Sequence, residues 1–172
     1  MSSVEIREAI DKLAKTIAEN PDKARGKNTP ATASLTEGLK LSVTGPAGEK
    51  FETDMPKGVG GGGGVPQPGW LLRAALASCT GTVIAMRAAK LGIALDKLDV
   101  TVDSENDLRG LLGLDDNVHA GLSNLRMRVT MRAQGAAPDT LQELARWGDA
   151  HSPVACTLRE ALAAEIEVVV ER

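Results

Sequence analysis

An α+β fold, with a long buried helix packed on antiparallel sheets, is predicted by three features of the sequence. The run from Pro68 to Ile93 is long and carries only three charges, Arg73, Arg87 and Lys90. Short alternations of apolar and polar residues stand on both sides of it, and two further helical segments precede the last of them. Strand pairs before and after one buried helix argue against a regular parallel α/β alternation.

Taken in order, Ser2 and Glu5 have the spacing of a capping box, and Ile6, Ala9, Ile10, Leu13 and Ile17 then recur at helical intervals up to Asn20-Pro21. The basic, polar linker from Asp22 to Pro30 sets this helix apart. Residues 1–30 therefore read as an appendage that packs on the main domain, 31–172, or on a partner subunit. Leu39, Leu41 and Val43 alternate with Lys40 and Ser42 before the turn at Gly45-Pro46-Ala47-Gly48, which predicts a meander of two or three short strands over 31–53.

Met55 to Gln67 reads as a flexible loop with five consecutive glycines, Gly60 to Gly64. Gly58, Gly60 and Gly63 fit G-x-G-x-x-G, but Pro66 and Pro68 remove backbone donors where a phosphate cradle needs them. Nucleotide binding is not expected there.

Pro68 suits the start of the central helix and Gly92 its C-terminal cap. At about 1.5 Å per residue the helix would run roughly 35 Å. A wheel places Arg73, Thr80 and Arg87 on one polar stripe and Leu72, Leu76, Cys79, Val83 and Met86 on a buried apolar face. The charges and the many alanines favour the core of a soluble protein over a membrane span.

Leu98, Val100 and Val102 predict a half-exposed strand. After the connection from Asn106 to Gly121, Leu125, Met127, Val129 and Met131 predict another, with Arg126, Arg128 and Arg132 on its outer face. Pro138 to Trp147 and Pro153 to Leu162 read as helices, the second capped by Ser152, and Ile166, Val168 and Val170 predict a closing strand.

Composition narrows the function. A net charge of −3 and only three aromatics, Phe51, Trp70 and Trp147, offer neither a basic field nor a stacking platform for nucleic acid. The charged first twenty residues lack the apolar core of a signal peptide, so a cytoplasmic protein without a membrane anchor is expected. Cys79, Cys156, His119 and His151 show no closely spaced metal-ligand pair, so no metal or other cofactor is expected. Hydrolytic chemistry is also disfavoured, because Cys79 lies inside a helix and no Gly-x-Ser-x-Gly occurs. A cysteine on an apolar helix face is by itself most simply a small core residue.

The central run nevertheless resembles the signature helix of the OsmC/Ohr family. The matching residues are Pro68, Leu71-Leu72, Ala74 to Cys79 and Ala88 to Ile93, and Ser152-Pro153-Val154 with Thr157-Leu158 is similar to the family's Cys-Pro-Val segment. The resemblance covers roughly Leu39 to the C-terminus. It implies an OsmC-like domain over 31–172, an intertwined homodimer with sites at the subunit interface, and thiol peroxidase chemistry on organic hydroperoxides in stress response.

In that chemistry a peroxidatic thiolate becomes a sulfenic acid, a second cysteine condenses with it, and a dithiol reductant recycles the disulfide. The resemblance puts Cys79 in the peroxidatic position. Ser152 stands where the family has its resolving cysteine, and Cys156, one helical turn later, becomes the candidate displaced resolver. The family's activating glutamate falls at Gly69, and no arginine lies between Arg25 and Arg73 to match its activating arginine. His151, Ser152, Trp70 and Arg73 are the auxiliary candidates, with Arg126 and Arg128 as further cations. Two alternatives stay open: a divergent dimer that binds a small ligand or senses redox state, and a structural dimer whose cysteines only pack.

Overall fold

Ser2 and Glu5 do close a capping box: the Ser2 hydroxyl accepts from the Glu5 N–H at 3.3 Å, and the Glu5 carboxylate accepts from the Ser2 N–H at 2.5 Å. The Ser2 N–H, with its hydroxyl second, holds the Glu5 carboxyl below the usual carboxylate range. Helix α1 follows over Ser3–Glu19. In the computed structural model, which describes residues 1–160 and 162–171, α1 packs against the central helix and Asp11 pairs with Lys90 near that helix's end. None of its residues is buried.

Strands β1 (Thr32–Glu37), β2 (Lys40–Thr44) and β3 (Lys50–Thr53) form one antiparallel sheet in that order, with Ala33 opposite Val43 and Val43 opposite Phe51. Gly38 and Gly48 turn the two hairpins at φ +54° and +86°, a region that favours glycine. The apolar residues of this sheet are poorly covered: Leu35 is 69% exposed and Phe51 44%.

The glycine-rich loop is more ordered than the flexible connection its composition predicts. Asp54, almost fully buried, accepts from its neighbour Met55 N–H at 2.7 Å and from Gly62 N–H at 2.8 Å. Gly61 lies so close to the Met55 carbonyl that a Cβ would overlap it. This carboxylate, with the Gly60, Gly61 and Gly63 N–H groups donating to the Lys57, Pro56 and Met55 carbonyls, gathers a segment whose glycines permit the close approach.

Helix α2 spans Pro68–Lys90, with β4 (Lys97–Glu105) and β5 (Ser123–Arg132) beneath it as an antiparallel pair. A single turn, α3 (Leu108–Leu111), interrupts their connection. Helix α4 (Pro138–His151) runs one turn past the predicted Trp147, and α5 (Pro153–Glu160) follows at once. The predicted last turn of α5 includes Ala161, which lies outside the described residues.

The core forms where α2, α4 and the β4–β5 pair meet. Ile84, Ala88 and Leu144 are fully buried, with Leu98, Val129 and Met131 packed against them. The buried stripe of α2 is Leu76, Thr80, Ile84, Ala88 and Ala89, which corrects the wheel reading. Thr80, expected on the polar stripe, is 0% exposed, whereas Leu72 and Met86, expected inside, are 37% and 42% exposed. The helix is apolar on nearly every side, so its periodicity does not select the face that meets the sheet.

The closing strand is a second correction. Residues 162–171 show no regular structure, and Ile166, Val168 and Val170 are 86%, 77% and 79% exposed. Alternation marks a segment able to be a strand, but a ladder needs a neighbour, and among the described residues neither sheet supplies one.

Gly148 of α4 sits against Ile84, where a Cβ would overlap the isoleucine side chain. Gly148→Ala is therefore expected to destabilise the fold by about 1–3 kcal/mol in denaturant unfolding, and adding Ile84→Val should recover part of that loss.

Candidate functional site

Cys79 lies one residue before the buried Thr80 on α2, on the flank between the core stripe and the open face formed by Ser78, Thr82 and Met86. It is a half-buried free thiol. Among the described residues, no group shares a hydrogen bond with its sulfur.

Cys156 is placed by the α4–α5 junction. Ser152, fully buried, accepts from the Ala155 N–H at 3.3 Å through its hydroxyl and from the Cys156 N–H at 2.9 Å through its carbonyl, so it caps α5 as its position before Pro153 predicts. The Cys156 Sγ donates to the Ala150 carbonyl at 3.3 Å and lies 3.3 Å from Arg159 Nη2. Arg159 also donates to both carboxylate oxygens of Asp149 at 3.1 Å and to the Asp149 carbonyl at 2.9 Å.

Asp149, Ala150, Cys156, Arg159 and Glu160 line an open cleft of about 480 Å³. The contact with the sulfur, and after it Asp149, raises the Arg159 guanidinium above its ordinary value.

The remaining candidates fall into two places. His151, at the end of α4, stacks on Trp147 with ring centres 4.0 Å apart and 12° between planes, and its Nδ1 is 2.8 Å from the Trp147 carbonyl. Arg87 of α2 lies over the Trp147 ring at 4.7 Å, a cation–π contact that ties α2 to α4. At the opposite end of α2, Trp70 is half exposed and Arg73 donates to the Ser104 hydroxyl of β4 at 3.2 Å. Arg126 stands opposite Asp103 and pairs with Glu105 at 3.6 Å, and Arg128 stands opposite Thr101.

The structure thus brings Cys156, Ser152 and His151 to one junction and leaves Trp70 and Arg73 at another. Cys79 lies between them on α2, which packs on α5, and Leu76 and Ala155 share the wall of a further cleft between these helices and β5. The cation that meets a sulfur is Arg159, which the sequence reading did not single out. Its spacing, three residues after Cys156 on one helix, was the available signal. Asp54 was also missed, because no local pattern in the sequence marks it as the acceptor for the Gly62 N–H.

The profile of the OsmC-like protein family matches residues 60–167, more than half of the chain and the part that carries both cysteines. The chain belongs to the OsmC-like family. Its fold is also that of solved relatives. An OsmC like protein from Mycoplasma pneumoniae is 17% identical, with 78% of this chain and 89% of that one covered at a TM-score of 0.63. An organic hydroperoxide resistance protein OsmC from Legionella pneumophila is 20% identical, covering 78% and 92% at 0.57. An organic hydroperoxide resistance protein from Elizabethkingia anophelis is 20% identical, covering 78% and 91% at 0.58. At such identities the likeness is one of fold. No curated protein matches the sequence.

In this OsmC-like chain the thiol with a guanidinium beside it should alkylate faster. Iodoacetamide at neutral pH is expected to label Cys156 ahead of Cys79, by peptide mass spectrometry, and Arg159→Gln should slow Cys156 labelling several-fold while leaving Cys79 as it was.

Proposed function

We propose that this OsmC-like chain is a thiol-dependent reductase of organic hydroperoxides that works as a homodimer. The observation that carries the reading is the placement of two free thiols on α2 and α5, helices that pack on one another, with an arginine at one of the sulfurs. Solved structures that share the fold include proteins named for organic hydroperoxide resistance, which supports the same substrate class.

The cycle starts with the Cys79 thiolate. Its sulfur attacks the terminal oxygen of the hydroperoxide, an S–O bond forms as the O–O bond breaks, and the alkoxide leaves as the alcohol after taking from solvent the proton that Cys79 had released on ionising. The Cys156 thiol then attacks the resulting sulfenic sulfur. An S–S bond forms and water departs, carrying the proton of that thiol. An external dithiol supplies two electrons and two protons to restore both cysteines.

The homodimer reading rests on surfaces that the single chain leaves bare. Leu72 and Met86 on α2, Leu35 and Phe51 on the first sheet, and Ile166, Val168 and Val170 near the C-terminus are apolar and exposed, and the last three sit on a segment that lacks a ladder partner. A second copy would cover the open flank of α2 beside Cys79 and offer strands to that segment.

A second reading has one observation in its favour. Arg159 stands at Cys156 and not at Cys79, which favours exchanged roles, with Cys156 attacking the peroxide and Cys79 resolving.

Two outcomes are expected. With cumene hydroperoxide and a dithiol, Cys79→Ser consumes no peroxide, and Cys156→Ser accumulates a sulfenic acid on Cys79 that dimedone traps. Sulfenic acid on Cys156 in the Cys79→Ser variant supports the exchanged roles, and a wild type as inert as the double serine variant overturns both. In sedimentation the wild type is expected to run as a dimer, and Leu72→Glu with Met86→Glu to shift it toward monomer.

A further inference from the structure

We propose that another cleft, at the start of α2, binds a small amphipathic carboxylate, with its head on the Arg73 guanidinium and its tail along Met55, Val59, Leu108, Leu111 and Leu122. The cleft holds about 720 Å³, within the range of about 300–1,000 Å³ in which small-molecule sites fall. Its walls come from the loop after β3, the first turns of α2, the end of β4, α3 and the residues just before β5. Leu108 and Leu111 keep 46% and 52% of their surface exposed there, an apolar lining that a hydrocarbon tail would cover.

The head group follows from charge. Arg73 spends one N–H on the Ser104 hydroxyl, and among the described residues no carboxylate stands within ion-pair distance of it. The other donors of its planar fork fit the two oxygens of a carboxylate. The acidic side chain of the lining, Asp107, is already engaged: Arg109 donates to it from Nε at 3.1 Å to each oxygen and from Nη2 at 2.6 Å. Those bonds hold the Asp107 carboxyl down to about 2, so at neutral pH it remains charged and matched. Arg73 is left as the cation that an incoming anion meets.

Neither sulfur of the same chain lines this cleft, so binding here is tested separately from the thiol chemistry proposed above. The position of Gly69 offers a direct way to occupy the cation. A Cβ there would meet Arg73 Nη1 at 3.8 Å and Leu122 Cδ2 at 3.9 Å, ordinary contacts, so a glutamate can be accommodated beside the guanidinium.

Isothermal titration of the full chain with octanoate, octan-1-ol and octan-1-amine tests the assignment. Octanoate is expected to bind at one site per chain, about tenfold or more tighter than either of the others, the scale of one charge-assisted hydrogen bond. Arg73→Gln should erase that preference, and so should Gly69→Glu, whereas Gly69→Gln, matched in size, should keep most of it. A chain with Cys79→Ser and Cys156→Ser is expected to bind octanoate as the wild type does, which separates this result from any failure of the reductase reading. Equal affinity for the three head groups, a preference that survives both Arg73→Gln and Gly69→Glu, or no octanoate binding at all overturns the proposal.

Discussion

The approach of α4 to α2 at Gly148 and Ile84 fixes the rest of the molecule. Because position 148 carries no side chain, the two helices come close enough to enclose Ile84 and Leu144 with Ala88, and the β4–β5 pair closes the space from below. Interiors are packed tightly, so a contact of this kind leaves little freedom in how the helices rotate. That rotation decides what α2 presents: Cys79 on its flank, Arg73 toward β4, Arg87 over Trp147. The abrupt passage from α4 into α5 through the buried Ser152 then determines where Cys156 and Arg159 stand.

Much of this could be read from the chain. The capping box at Ser2, the meander over 31–53, the two alternating strands around Val100 and Val129 and the helix punctuation at Pro68, Pro138 and Pro153 are local signals, and local signals carry secondary structure well. What could not be read was orientation. Helix α2 is apolar over most of its circumference, and Thr80, polar by name, enters the core with its hydroxyl lacking a partner among the described residues. Ile166, Val168 and Val170 have the pattern of a strand, yet pairing depends on a neighbour that sequence periodicity does not identify. The candidate site shows the same division. Both cysteines were evident, while the arginine that reaches one of them depends on the turn between two helices.

The chain has a well-filled core on one side and bare apolar surfaces on the other. The first sheet makes its contacts mainly within itself, and its link to the rest includes the Asp54 N–H donating to the Pro66 carbonyl. Large exposed side chains in such numbers are unusual where a fold is complete within one chain. The thiol on α2 sits at the boundary between these two regimes, half-buried beside the open face of its helix.

Asp54 has a consequence that reaches beyond its own loop. Five glycines in succession have little reason to hold a shape, since each gives up more conformational freedom than any other residue when it is fixed. Here the Asp54 carboxylate holds Gly62 while Gly60, Gly61 and Gly63 donate to the Lys57, Pro56 and Met55 carbonyls, and the stretch from Met55 to Val59 contributes to one wall of the Arg73 cleft. The width of that recess is therefore governed from outside it. The acid–amide bond at Gly62 and the backbone bonds of Gly60, Gly61 and Gly63 together set that rim, apart from the helical core.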